Sequence, residues 1–381
     1  MLNFKNKILI LSTFIFTALL FCTGCNSSSE ASIQEKNAEK AAPTPASFLA
    51  LGEFSVEYLE DGYVKVRDGA KREFLLVPRG KPPLEGFPKS RIVETPVRSV
   101  AAYGYFDISI LKVLGVIEDV LVGVTAPKDE WVIPEVVQGM ESGKIAFLGS
   151  YNSIDFEVLK KTGPEMAMTW DHSVIPILED LGIPCLITST PVAMCLNAKM
   201  KFVNFLAPFF GKETEASEYF GQVAGVLQEI AEKAAQAEEH PKVMWGDIYE
   251  KRVLVEPGNA WVGELVGLAM GDYVFDDVFG ASCIEISMER FLTGGEDAEI
   301  LFTYRTPLTG ATSKEALAKT NPSMSAIQPL HAGKVFAPLP HYSQSGHKLD
   351  EILLEIAAIV HPDLYPNYER KYFTELPEKD A

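Results

Sequence analysis

The sequence predicts an α/β protein of two Rossmann-like lobes joined by one long α-helix. Three observations predict it. From about residue 92 to 187, short apolar runs alternate with helix-like stretches, the pattern of βαβ units and a parallel sheet. A single long amphipathic pattern over residues 213–237 then interrupts the alternation. From Lys242 to Val360 the alternation resumes.

Taken in order, residues 54–78 read as short strands: Phe54 to Leu59 alternates, Asp61-Gly62 is a turn signal, and Tyr63 to Val66 resumes. Asp68-Gly69 is a second turn, before Phe74 to Pro78. Residues 79–90 are a Pro- and Gly-rich connector. Ser99 to Ala101 leads into a helix through Ile108 and Leu114, and Val120 to Val124 is a strand. Trp131 and Pro134 suggest a loop and then a helix. Glu157 to Lys161 is a helix, Glu165 to Trp170 a strand, Val174 to Leu181 a helix and Pro184 to Ile187 a strand. In 213–237 the apolar positions Ala216, Tyr219, Phe220, Val223, Val226, Leu227, Ile230 and Ala234 fall mostly three or four apart. Pro241 ends that helix. Lys242 to Trp245 and Val253 to Val255 are strands, and Ala260 to Met270 is a helix. Ile300 to Tyr304 and Val335 to Ala337 are strands, and Leu349 to Val360 is a closing helix.

The chain has 381 residues and a net charge of −18, with 34 Lys plus Arg against 52 Asp plus Glu. This balance argues against a nucleic-acid partner. The length fits two or three compact units. Only one long apolar run exists, which excludes a polytopic membrane protein: Lys5 and Lys7 precede Ile8 to Cys22, the form of a secretory leader. It ends Cys22-Thr23-Gly24-Cys25, which resembles a bacterial lipobox with Cys25 lipidated; an ordinary leader with a chance Cys is the alternative. Leader loss would make the chain two charges more negative. Residues 26–47 are polar and read as a flexible tether. The expected divisions are a leader at 1–24, lipidated Cys and tether at 25–47, a β-hairpin segment and connector at 48–91, an N-terminal lobe at 92–212, a linking helix at 213–240 and a C-terminal lobe at 241–381. The expected location is extracytoplasmic, with the protein held at the cell membrane by its lipid. Cys185 and Cys195 could pair, or be small buried apolar residues like Cys283.

Several segments, in order, resemble the helical-backbone substrate-binding proteins of ABC importers for iron-siderophores, haem and cobalamin. They are Arg91-Ile92-Val93 through Leu114-Gly115; Ser153 to Glu157 with Pro164; Gly258-Asn259-Ala260-Trp261 with Met270-Gly271-Asp272; Ser287-Met288-Glu289; and Asn321-Pro322 through His361 to Tyr365. The resemblance implies a ligand cleft between the lobes and a non-enzymatic, monomeric carrier. It delivers a metal chelate to a permease dimer with its ATPase. The ligand expected first is an iron(III)-siderophore, then cobalamin or haem; ligand sensing without transport is the alternative role. The resemblance also implies that Glu157 and Glu289, one per lobe, dock on basic residues of the permease; solvated helix-start glutamates would look the same.

Ligands of α/β lobes bind at loops beyond the strand carboxyl ends. In the first lobe these loops carry Tyr103, Tyr105, Tyr151, Asn152, Trp170 and His172. In the second they carry Tyr249, Asn259, Trp261, Tyr304, Arg305, His341 and Tyr342. The rings suit flat chelates and macrocycles, with Arg305 available for an anionic group, and they suit half-buried packing equally well. No spacing marks a bare-metal site, and no cofactor is expected beyond the carried chelate.

Overall fold

The computed structural model describes residues 48–380, so the leader, Cys25 and the tether lie outside the described residues. Among the described residues no helix is long and apolar enough to cross a membrane.

The chain opens with β1 (Phe48–Leu51), β2 (Phe54–Tyr58), β3 (Val64–Arg67), β4 (Glu73–Pro78) and β5 (Ile92–Thr95), which form one sheet in that order. The expected hairpin is therefore a five-stranded sheet. Ile92-Val93, expected to open the next lobe, instead pairs in parallel with β4. The β3–β4 turn clamps this sheet to the strand region around Ile187. Asp68 is fully buried and accepts from the Ala70, Arg72 and Ile187 amides and from Arg72 Nε and Nη2, at 2.7–3.1 Å. Gly69 lies so close to that region that an added Cβ would sit 1.7 Å from the Ser189 carbonyl oxygen.

The second sheet is wholly parallel. Its elements are β6 (Val100–Ala102), α1 (Tyr105–Val113), α2 (Ile117–Val120), β7 (Leu121–Val124), α3 (Pro134–Glu141) and β8 (Ala146–Phe147). A small ladder of β9 (Gly149–Ser150) and β10 (Ser153–Ile154) precedes α4 (Phe156–Thr162), β11 (Met166–Thr169), α5 (Ile175–Asp180) and β12 (Cys185–Ile187). The order β12-β11-β6-β7-β8 reverses direction between β6 and β11. That reversal is a topological switch point, where the loops on either side diverge and leave a crevice. No disulfide joins Cys185 to Cys195.

Two helices come next. α6 (Leu196–Phe210) ends at Gly211, whose φ of 66° suits a left-handed cap, and α7 (Glu213–Ala234) then runs for 22 residues, about 33 Å at 1.5 Å per residue. The helix expected over 213–240 thus ends at Ala234, six residues short, with α6 packed along it. Both helices have residues in two cores. Leu196 and Met200 of α6, and Val223, Leu227 and Ile230 of α7, belong to the later core. Phe202 through Phe210 and Ala216 belong to the earlier one.

The third sheet is built from β13 (Lys242–Tyr249), β14 (Arg252–Val255), α8 (Trp261–Leu268), β15 (Asp272–Tyr273), β16 (Ile284–Ile286), α9 (Met288–Gly295) and β17 (Ile300–Phe302). It closes with α10 (Lys314–Thr320), β18 (Lys334–Pro338), α11 (Pro340–Ser343), α12 (Leu349–Val360) and β19 (Phe373–Glu375). Its parallel strands run β15-β13-β17-β18, so a second switch point lies between β13 and β17. Among the described residues no strand is shared between the second and third sheets.

Asp68→Ala should cost about 3 kcal/mol, because it takes the acceptor from three amides and from the half-buried Arg72, which keeps only the Cys185 carbonyl and Glu179. Urea denaturation measures this. A loss below about 1 kcal/mol, the size of a surface pair, would show that the clamp contributes little.

Candidate functional site

The two halves meet along a seam. The segment entering α6 is sewn to the later half: Ala193 N donates to the Gly280 carbonyl at 2.9 Å, Leu196 N to Glu264, and Trp261 N to the Met194 carbonyl at 2.9 Å. On its other flank Gln344, almost fully buried, accepts from Val132 N at 2.8 Å and donates to the Glu130 carbonyl at 2.7 Å.

At the first switch point Tyr103 follows β6 and Trp170 follows β11. Tyr103 is buried at 6% exposure, its hydroxyl lacks a partner, and burial raises its pKa. Trp170 is 44% exposed and lies 5.6 Å from the ring of Tyr151, itself 51% exposed. Exposed rings of this size forgo about 2 kcal/mol each unless something covers them. His172 and Asn152 are exposed nearby in the chain. Tyr105 opens α1, bonds Glu130 at 2.8 Å and meets Trp131 edge-on, so it packs rather than faces outward.

At the second switch point buried Asp247 accepts from the Thr303 hydroxyl and lies 3.3 Å from Arg305 Nε. Arg305 also donates to the Ile248 carbonyl and covers the Tyr249 ring at 4.4 Å. Tyr249 and Arg305, named from sequence, share a pocket of about 580 Å³ with Glu250, Arg252 and Thr320. Asn259 spends its amide on both backbone groups of Gly280. Tyr342 stacks on Trp261 at 6.5 Å and touches Phe373, while His341 is exposed. Among the described residues no three His, Cys, Asp or Glu side chains are arranged to hold a metal ion.

Sequence reading missed the seam's charged floor. Lys199, on α6, has its ammonium 3.6 Å from the Phe106 ring centroid and 4.6 Å from that of Trp261, one ring from each half. Asp107 accepts from the Thr188 hydroxyl at 2.9 Å. Glu256 accepts from Ser282 Oγ at 2.9 Å and from Cys283 Sγ at 3.3 Å. It also missed Phe279, 69% exposed beside Gly280. None of these carries a local signal, since their partners lie far off in the chain.

Glu157 and Glu289 occupy matching places. Each is exposed and second in a short helix that follows a strand ending in Ile. Asp155 caps one helix and Ser287 the other. Among the described residues neither glutamate forms an ion pair.

Residues 100–338, well over half of the chain, match the model of the family described as periplasmic binding protein. The chain belongs to that family. Its members bind and do not catalyse, so no catalytic residue is assigned. An uncharacterized lipoprotein of Methanocaldococcus jannaschii is 23% identical over 298 residues, 74% of this chain and 70% of that one. Among solved structures, Helicobacter pylori CeuE, as its Ni-His complex, aligns with a TM-score of 0.59 at 18% identity, over 81% of this chain and 91% of that one. A periplasmic heme binding protein of Pseudomonas aeruginosa aligns at 0.57 and 16%, over 75% and 100%. A possible iron-binding protein of Staphylococcus epidermidis aligns at 0.54 and 15%, over 70% and 100%. These are likenesses of fold.

Burial lifts the Asp107 carboxyl to about 7, with the Thr188 hydroxyl and Lys199 pulling it partly back. Between about pH 4 and 7 the folded chain therefore holds a proton that the unfolded one releases, and this group's contribution to stability falls as pH rises. Asp107→Asn should remove that downward slope in a pH series of thermal melts. An unchanged slope would assign it to other groups.

Proposed function

We propose that this protein is the extracytoplasmic substrate-binding component of an ABC importer, lipid-anchored through Cys25, that captures a metal chelate. The iron(III)-siderophore, haem and cobalamin classes are the candidates. In this reading the second and third sheets with their helices act as two lobes held by the helix Glu213–Ala234, and the seam is the ligand cleft. One observation carries it. Exposed apolar side chains occur in both halves and between them: Tyr151 against Trp170, Val192 at 48% exposure on the connecting segment, and Phe279. The chain links them, because Ser189 Oγ bonds the Trp170 carbonyl and Ala193 bonds Gly280 beside Phe279. Exposed rings on both sides of a seam suit a broad, flat ligand. The relatives named above as heme-binding and iron-binding share this fold, which supports the ligand class.

Glu157 and Glu289 fit docking to a permease dimer, since two like carboxylates on repeated supports set orientation. The Asn259 amide and Arg305 guanidinium are engaged within the protein, so in this reading they shape the cleft wall. His172, His341, Tyr342, Trp261, Tyr249, Tyr103 and Tyr105 line or back it.

Titrating the protein without its leader with ferric siderophores, haemin and cyanocobalamin, followed by tryptophan quenching, should give saturable binding to at least one. No response to any chelate would overturn the ligand class. Tyr151→Ala combined with Trp170→Ala should weaken that binding about tenfold or more, from the lost ring contact. Glu157→Ala with Glu289→Ala should abolish uptake in cells and leave affinity intact. Normal transport by that double variant would remove the docking role.

A further inference from the structure

We propose that Lys199 recognises an anionic oxygen group of the ligand, a carboxylate above all, at the floor of the seam. The inference rests on the binding role proposed above and narrows its substrate class to chelates that carry an acid group.

Lys199 is unusually placed for a lysine of a helix between two cores. Its ammonium sits between Phe106 of the earlier half and Trp261 of the later half, as a cation over two ring faces. Among the described residues it makes no hydrogen bond and no ion pair, so all three of its donors are unspent. The residue as a whole is half-buried. Two acids face it, and both are otherwise engaged. Asp107, on α1, accepts from the Thr188 hydroxyl, and burial lifts its carboxyl to about 7. Glu256, beyond β14, already accepts from Ser282 and Cys283, and burial raises it too. The thiol of Cys283 and the phenols of Tyr304 and Tyr342 around Glu256 are all pushed upward by burial and stay uncharged at neutral pH. What remains unbonded at the floor is the Lys199 ammonium, its donors unspent, between two rings. A ligand that lays a flat face on those rings and presents a carboxylate would meet three N–H donors in a place where charge-assisted bonds are strong. Burial also draws Lys199 down to about 8, against the pull of Glu256 and Asp107.

The test compares the wild-type protein with Lys199→Gln and Lys199→Arg. The probes are haemin, haemin dimethyl ester, ferric citrate, iron-free citrate and cyanocobalamin, measured by calorimetry with melts as the folding control. At least one carboxylate-bearing probe should bind the wild type. Lys199→Gln should then weaken it about tenfold or more, the size of a lost charge-assisted bond. The ester and cyanocobalamin should be unaffected. Wild-type affinity should fall as pH passes about 8, while Lys199→Arg, which stays charged, should hold its affinity there. Equal affinity of Lys199→Gln and wild type, with only melting temperature changed, would make Lys199 a structural counter-ion and overturn the inference. Binding of cyanocobalamin or the ester with no binding of any carboxylate probe would overturn it too, and would leave the chelate-carrier reading standing. Silence from every probe would overturn this inference, while the chelate-carrier reading falls only if the ferric-siderophore titration above is silent as well.

Discussion

The arrangement depends on one constraint: α6 and α7 must bury their apolar faces in two cores at once. Leu196 and Met200 lie in the later core, while Phe202 through Phe210 lie in the earlier one. α7 runs the other way, with Ala216 in the earlier core and Val223, Leu227 and Ile230 in the later. Each core therefore fixes one end of a stiff helical pair. Sliding one half against the other would expose these side chains, at about 1.5–3 kcal/mol for each large one. The bonds of Gln344 across the other flank add a second tie. The seam is thus held by packing on both flanks, which opposes large hinge motion. Under the proposed role, binding energy would come from a largely preformed surface.

That surface divides its labour. The exposed rim is apolar, with Tyr151, Trp170, Val192 and Phe279, and the floor is polar, with Lys199, Asp107 and Glu256. The second switch point is more self-contained, since Arg305 is bound to Asp247 and the Ile248 carbonyl. A rim of rings gives area without much specificity, whereas a buried charge with unspent donors discriminates sharply between ligands that satisfy it and ligands that do not.

Much of the fold was legible in the sequence because its signals are local. The three-and-four spacing from Ala216 to Ala234 shows α7, and the Asp61-Gly62 and Asp68-Gly69 turns bracket β3. The glutamate segments are local too, so Glu157 and Glu289 pair by their sequence surroundings alone. α6 was hidden because nearly all its later residues are apolar, which leaves no polar face, and Pro208 inside it reads as a breaker. β1 and β19 are short edge strands that only their partners define. Lys199, Asp107 and Glu256 were invisible for a different reason. They come from three separate stretches of chain, and only the crossing of two helices with a strand end brings them together. For the rings, sequence could name positions beyond strands but not exposure, so buried Tyr103 and packed Tyr105 stood beside exposed Tyr151 and Trp170 without distinction.

The most direct test of the preformed seam is a crystal structure of the protein bound to whichever chelate quenches its tryptophans. The chelate should lie in the seam, with a face on Trp170 and Phe279 and the two halves shifted little from their present arrangement. A chelate bound on the outer surface of either half, or halves rotated well apart, would contradict this picture.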